Sequence, residues 1–383
     1  MTSAEKHSRA RRLYVDWARA IAVLLMIEAH TLDAWTRPAD RHGVWFLDAA
    51  VLGGFAAPLF LWLAGLAVVL SATRAAERTG SRMQAVDSVA RRGLEIFILA
   101  FLFRLQAFIV SPGSYPVTLF RVDILNVMGP ALVVAGLVWG CAATARGRVA
   151  AFALLATTTA LVTPIVRTAA FVDHLPLWLQ WYVRPFGDYT TFMLLPWAGF
   201  VFAGGAVGAL IAAAGDERSE RRLQAILAAT GAALVTLGFY TASRPSIYQA
   251  SAFWTSSPTW FAIRTGIMMI ALSAIYAIEQ AFSHENAKTR NPDRLVRPFV
   301  LSWQGPLSAM GRSSLFIYWI HVELVYGYVS WFWRHRLPLW GTAIAWAVFC
   351  VLMYRAIGLR DRLVAAWRRR QRGAGSTPQT ATA

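Results

Sequence analysis

Long apolar runs separated by short polar or basic segments dominate the chain. The clearest are Val51 to Ser71 and Phe192 to Ala214. Each approaches the roughly 20 residues that a helix needs to cross the hydrocarbon core of a bilayer. The same pattern along the whole sequence predicts ten spans, near residues 14–35, 49–72, 94–110, 122–143, 149–169, 191–213, 223–242, 263–282, 309–332 and 339–359. The predicted fold class is therefore all-α, a polytopic helical bundle in a membrane. A basic N-terminus (1–12) precedes a single transmembrane domain (13–359), followed by a tail (360–383) that is first basic and then disordered.

Composition agrees with this picture. Of 383 residues, 57% are hydrophobic and only 15% are charged, against about 25% charged in a soluble domain. The net charge of +17 resembles a nucleic-acid signal, but its distribution changes the reading. Basic residues cluster in alternate loops: Lys6 to Arg12, Arg74 to Arg92, Arg146 and Arg148, Arg218 to Arg222, Lys288 to Arg297, and Arg360 to Arg372. The intervening loops hold far fewer, a bias of roughly three to one that puts both termini in the cytoplasm. Cys141 and Cys350 lie in apolar segments and carry no redox message. No cleavable signal peptide and no internal repeat are predicted. Tryptophan, with 17 copies, concentrates in the outer loops and outer helix ends. This is read as an aromatic belt, or as an aromatic-walled vestibule that stacks on a sugar ring.

Ionisable groups inside spans are costly and face a partner or a cavity. The first span carries Asp16, Arg19, Glu28, His30 and Asp33. Asp16, Arg19, His30 and Asp33 fall within about 100° of one another on a helix, while Glu28 points about 160° away from His30. Asp16 and Arg19 belong to the cytoplasmic end and His30 and Asp33 to the outer end, so one polar stripe joins both sides. Arg104 in the third span and Asp123 at the fourth read as a paired charge, and the eighth span opens with Arg264. The ninth places Ser314, Tyr318 and His321 on one face. Two neutral imidazoles suit proton transfer. No metal-ligand spacing, Walker loop, GxGxxG or GxSxG is present.

The opening RLYVDWARAIAVLLMIEAH, with Arg12, Asp16, Arg19 and His30, resembles the first helix of membrane acyltransferases. GGFAAPLFLWLAGLAVVLS, with Pro58, Phe60, Gly65 and Ser71, is similar to the second helix of the heparan-alpha-glucosaminide N-acetyltransferase catalytic-domain family. RVDILNVMG, LLPWAGFVFAGGAVG and GRSSLFIYWIHVEL also resemble its bacterial members, so the likeness extends from about Arg12 to Tyr328.

The resemblance implies a bacterial cytoplasmic-membrane enzyme. It would transfer an acyl group from cytoplasmic acyl-CoA, acetyl-CoA above all, to a hydroxyl or amine acceptor at the other face. The acceptor class is a carbohydrate or glycolipid, without metal or nucleic acid, and a second copy of the chain is a candidate partner. In the family's lysosomal member the reactive histidine lies in the first lumenal loop, nearest to His42 here. In the wider superfamily it ends the first helix, which is His30, and His30 is the expected base or transient acyl carrier. Asp33 or Asp123 is expected to orient it, and Arg104 or Arg264 to stabilise the oxyanion. His321, Tyr318 and Ser314 are expected to line the opposite wall, with Trp35 and Trp45 on the acceptor. Arg19, fixed by Asp16, and Arg312 are expected at the CoA. The rival reading is a proton-coupled transporter using the same Arg, Asp and His residues.

Overall fold

The computed structural model describes residues 12–110, 115–288 and 305–374, without the side chains of 283–288 and 372–374. The expected basic N-terminus through Arg11, the loop Arg290 to Arg297 and the polar tail beyond residue 374 lie outside the described residues. Among the described residues the chain is helical, with two isolated bridges, Thr36 with Leu337 and Val122 with Thr190, and no extended strand.

The helices are α1 Leu13–Trp35, α2 Val44–Gly53, α3 Ala56–Thr79, α4 Arg82–Val110, α5 Ile124–Cys141 and α6 Ala145–Thr168. They continue with α7 Leu177–Val183, α8 Leu194–Ala213, α9 Glu217–Ala242, α10 Pro258–Lys288, α11 Ser314–Tyr326 and α12 Leu339–Ala374. Eight helical stretches are long and apolar enough to cross a membrane. Two of the ten expected spans are not among the eight. α1 has the length, at 23 residues, but it carries four charged side chains. The ninth span is divided: residues 305–312 are helical, Ser313 makes a turn, and α11 has only 13 residues.

α1 is the inner post of the bundle, packed by α2, α3, α10, α11 and α12. Its polar residues can be housed there because neighbouring helices, rather than lipid, surround them. Close helix pairs build the frame around it. α3 meets α8 where Gly65 lies against the carbonyl of Val201 and Gly204 against that of Trp62, so a side chain at either glycine would collide with backbone. α4 pairs with α5 in the same way, and α9 with α10 through Gly231 and Gly266. Small residues let membrane helices approach to backbone contact, where dispersion and weak polar contacts replace the missing hydrophobic drive.

Outward faces remain apolar. Leu94, Ile98, Leu102, Leu105 and Ile109 recur at helical spacing along α4 and are all exposed. Ile344, Val348, Leu352, Leu359, Leu363 and Trp367 do the same on α12. Such stripes suit lipid, in which backbone groups must be satisfied within each helix. α12 has 36 residues, or about 54 Å at the helical rise. It continues without a break past the expected end of the tenth span, carrying the helix through Arg368, Arg369 and Arg370.

Candidate active site

The polar stripe of α1 faces the segment 305–326 along its length. At the N-terminal end of α1, Gly311 packs on the backbone of Asp16, so that only a hydrogen fits between them. Asp16 is buried and lies 3.4 Å from Arg19, and Arg312, next to Gly311, is exposed. This end is tied down separately. Arg12 meets Glu220 of α9 at 2.8 Å, the Tyr14 hydroxyl donates to the same carboxylate at 2.6 Å, and the Tyr14 amide donates to Glu279 of α10 at 3.1 Å.

Near the C-terminal end of α1, His30 meets two rings of α11. The His30 and His321 centroids are 5.1 Å apart, edge to face, and Tyr326 stands 5.5 Å away on the same ring. The Tyr326 hydroxyl donates to Asp33 Oδ2 at 2.8 Å. His321 is fully buried, and its Nδ1 lies 2.9 Å from the Ile317 carbonyl and 3.0 Å from that of Tyr318. Its Nε2 and the Nδ1 of His30 are buried without a hydrogen-bond partner.

The third side comes from α4 and α5. Phe103 packs on Tyr318 with centroids 5.3 Å apart, and Tyr318 in turn lies 6.0 Å from His321. The adjacent Arg104 forms a close ion pair with Asp123 and lies within electrostatic range of Tyr318 and Glu323. Asp123 is also the N-cap of α5, in a reciprocal capping box with Asn126, which fixes its carboxylate at the helix start. The expected Arg104–Asp123 pairing is therefore present.

Over this cluster the segments that follow α1 and precede α12 are clasped together. The Leu337 amide donates to the Trp35 carbonyl at 3.0 Å and the Arg37 amide to the Leu337 carbonyl at 2.8 Å. The Asp40 carboxylate accepts from the Leu339 amide at 2.8 Å, capping α12 from across the chain. Arg41 donates to the Asp33 carbonyl and, at 2.9 Å, to His335 Nδ1. His335 is the one described non-glycine residue with positive φ, at 57°.

His30, Asp33, Arg104, Asp123, Tyr318 and His321 are thus brought together from α1, α4, α5 and α11. Neither expected orienting carboxylate hydrogen-bonds His30: Asp33 is held by Tyr326, and Asp123 by Arg104 and the cap. Ser314 starts α11, away from the histidine cluster, where Ser313 accepts from Arg360 at 3.0 Å. Arg264 stands apart from the cluster. It donates to the Gly54 carbonyl between α2 and α3 and lies 4.7 Å from the ring centres of both Phe55 and Trp260. Trp35 is a buried peg that donates to the Val325 carbonyl at 3.2 Å, whereas Trp45 is 80% exposed on α2. His42 is exposed in the turn before α2. The outer tryptophans do not form one wall: Trp181 and Trp260 are also buried, while Trp178, Trp254, Trp331 and Trp340 point outward.

Sequence reasoning passed over Tyr326, Arg41 and His335. Tyr326 lies about 140° round the helix from His321 by residue count, so no face pattern joins the two. It reaches His30 as the last residue of α11. Glu28, which pointed away from the stripe, does face elsewhere: its carboxylate lies against Gly53 at the α2–α3 break.

Comparison with known proteins adds one match. The family model described as heparan-alpha-glucosaminide N-acetyltransferase, catalytic, matches residues 11–248. The chain belongs to that family. Membership places it among membrane acetyltransferases, and the transporter alternative is not favoured. The family match runs from α1 past the end of α9, so it includes His30, Asp33, His42, Arg104 and Asp123. It stops short of Arg264 and of all of α11, including Tyr318, His321 and Tyr326. No curated protein matches the chain.

Proposed function

We propose that the protein transfers an acetyl group from cytoplasmic acetyl-CoA to a hydroxyl or amine acceptor, of carbohydrate or glycolipid type, at the outer face of a bacterial cytoplasmic membrane. The observation that carries this reading is the meeting of His30 with His321, at 5.1 Å between ring centres, beside the Arg104–Asp123 pair. An imidazole pair inside a membrane protein is a group for moving protons near neutral pH. The Arg104 guanidinium, within electrostatic range of Tyr318 one turn before His321, supplies positive charge where a tetrahedral oxyanion develops.

The inner end of α1 supports the donor's side. Arg19 stands half-buried beside Asp16, and the exposed Arg312 is next to the glycine that packs on Asp16. These cations suit the phosphates of CoA, from which a flexible pantetheine arm extends along the stripe toward His30. The acceptor oxygen or nitrogen then bonds to the thioester carbonyl carbon as its proton passes to an imidazole. The C–S bond breaks and the thiolate takes the proton. Arg104 is the better placed oxyanion partner, because Arg264 stands apart from the cluster at the α2–α3 joint.

Calorimetry on the full-length protein in lipid nanodiscs tests the donor assignment. Acetyl-CoA should bind, and Arg19→Ala should weaken binding roughly tenfold, the loss of about one charge-assisted contact. Absence of any CoA or acetyl-CoA affinity would overturn the reading.

A further inference from the structure

We propose that His321 is the general base of the transfer and that its Nε2 is the atom that takes the acceptor's proton. The proposal rests on the acyl-transfer reading and adds the residue and the atom. His321 lies beyond the part of the chain that the family model matches.

The tautomer follows from the partners. Nδ1 lies 2.9 Å from the Ile317 carbonyl oxygen and 3.0 Å from that of Tyr318. Carbonyl oxygens only accept, so Nδ1 carries the ring hydrogen and the neutral ring keeps its lone pair on Nε2. The same two contacts fix the ring's rotation, the task that a carboxylate performs in a catalytic triad. Nε2 is buried with no donor against it. A buried acceptor is seldom left unsatisfied without a task, and here the missing partner has the chemistry of an O–H or N–H donor. His30 lacks this preparation: its Nδ1 is buried and unpartnered, and neither Asp33 nor Asp123 holds its ring. His30 instead packs edge-on against His321, as the neighbouring wall.

The proton balance closes within the pair of substrates. The acceptor's O–H or N–H proton moves to His321 Nε2 as the new C–O or C–N bond forms at the thioester carbon. The C–S bond then breaks, and the imidazolium returns the proton from Nε2 to the departing CoA thiolate. No external acid, base or oxidant is consumed.

Two measurements on the full chain in nanodiscs test this. Nitrogen NMR of histidine-labelled wild-type protein at neutral pH should show His321 neutral with hydrogen on Nδ1; hydrogen on Nε2 would overturn the assignment. The second follows CoA thiol release from acetyl-CoA with glucosamine as acceptor probe. His321→Gln should lower the rate about 10²–10⁴-fold, the usual loss of a general base, while acetyl-CoA affinity stays unchanged. Added imidazole should restore part of the rate to His321→Gly, which a purely structural histidine would not permit. A His321→Gln variant as active as wild type would overturn the assignment alone. Wild-type protein that releases no CoA would overturn the acyl-transfer reading and this assignment with it.

Discussion

The Tyr326 hydroxyl donates to the carboxylate of Asp33 at 2.8 Å, while the Tyr326 ring stands edge-on to His30 with 5.5 Å between centroids. Asp33 therefore reaches the histidine cluster through a tyrosine from the far end of the chain rather than directly. Tyr326→Phe keeps the ring contact and removes only this hydrogen bond. Acetyl transfer should fall roughly tenfold to 150-fold, corresponding to about 1.5–3 kcal/mol for a hydrogen bond to a charged group. Steady-state CoA release with the variant reads this directly, and an unchanged rate would show that Asp33 has no part in the chemistry.

The two candidate histidines of the N-terminal third differ in surroundings. His30 contacts His321 and Tyr326, whereas His42 is exposed in a turn. His30→Ala removes the ring packed edge-on against His321 and should lower acetyl transfer roughly tenfold by letting that imidazole shift, and His42→Ala should cost less than about twofold. Acetyl-CoA binding should survive in both. The reverse pattern would move the reacting centre to the outer loop.

Topology is open to labelling. The alternation of basic loops predicts cytoplasmic termini, and that orientation would put Gln180 on α7 outside the cell membrane. In a variant with Cys141 and Cys350 replaced by serine, Gln180→Cys should react with an impermeant maleimide added to intact cells. Reaction only after lysis would invert the orientation.

The α3–α8 contact should be intolerant of added volume. Any side chain at Gly65 meets the Val201 carbonyl, and one at Gly204 meets that of Trp62. Gly65→Ala should destabilise the protein by about 1–3 kcal/mol, as overpacking does, and Gly65→Leu should prevent accumulation of folded protein. Thermal unfolding in detergent distinguishes this from the small change expected at Gly80, where nothing lies within 4 Å, provided the replacement there is Asn, which tolerates its positive φ.

The outer clasp should respond to acid. Partial burial first, and then the nearby Arg41 and Arg334, lower the His335 pKa, with Asp33 opposing them. A histidine with a lowered folded-state pKa binds fewer protons folded than unfolded. Its stabilisation is therefore complete above the unfolded value of about 6.5 and is lost as pH falls through it toward the lower folded value. Protonation also removes the Nδ1 lone pair that accepts from Arg41. Hydrogen exchange at Leu337 and Arg37, corrected for intrinsic rates, should quicken between about pH 7.5 and 5.5. His335→Gln should abolish the change.

Hydrophobic periodicity and length alone determined that this chain is a helical membrane bundle, because each spanning helix must satisfy its own backbone within about 20 residues. The stripe Asp16, Arg19, His30 and Asp33 was equally legible, since positions on one helix obey fixed angular steps. The structure packs Gly311 against its Asp16 end and His321 against its His30 end. Charge pairing of Arg104 with Asp123 could be read from the cost of isolated charges in lipid. What faces His30 could not. Tyr326 and His321 are set by where α11 lands after a break at Ser313, and the Asp33 carboxylate is held by Tyr326, at the end of that helix and far away in sequence, rather than by His30. Arg264, placed at the same depth by counting residues, is drawn to the Gly54 carbonyl and two aromatic rings instead. A helix specifies which of its own residues share a face; only the packing of several helices decides which faces meet.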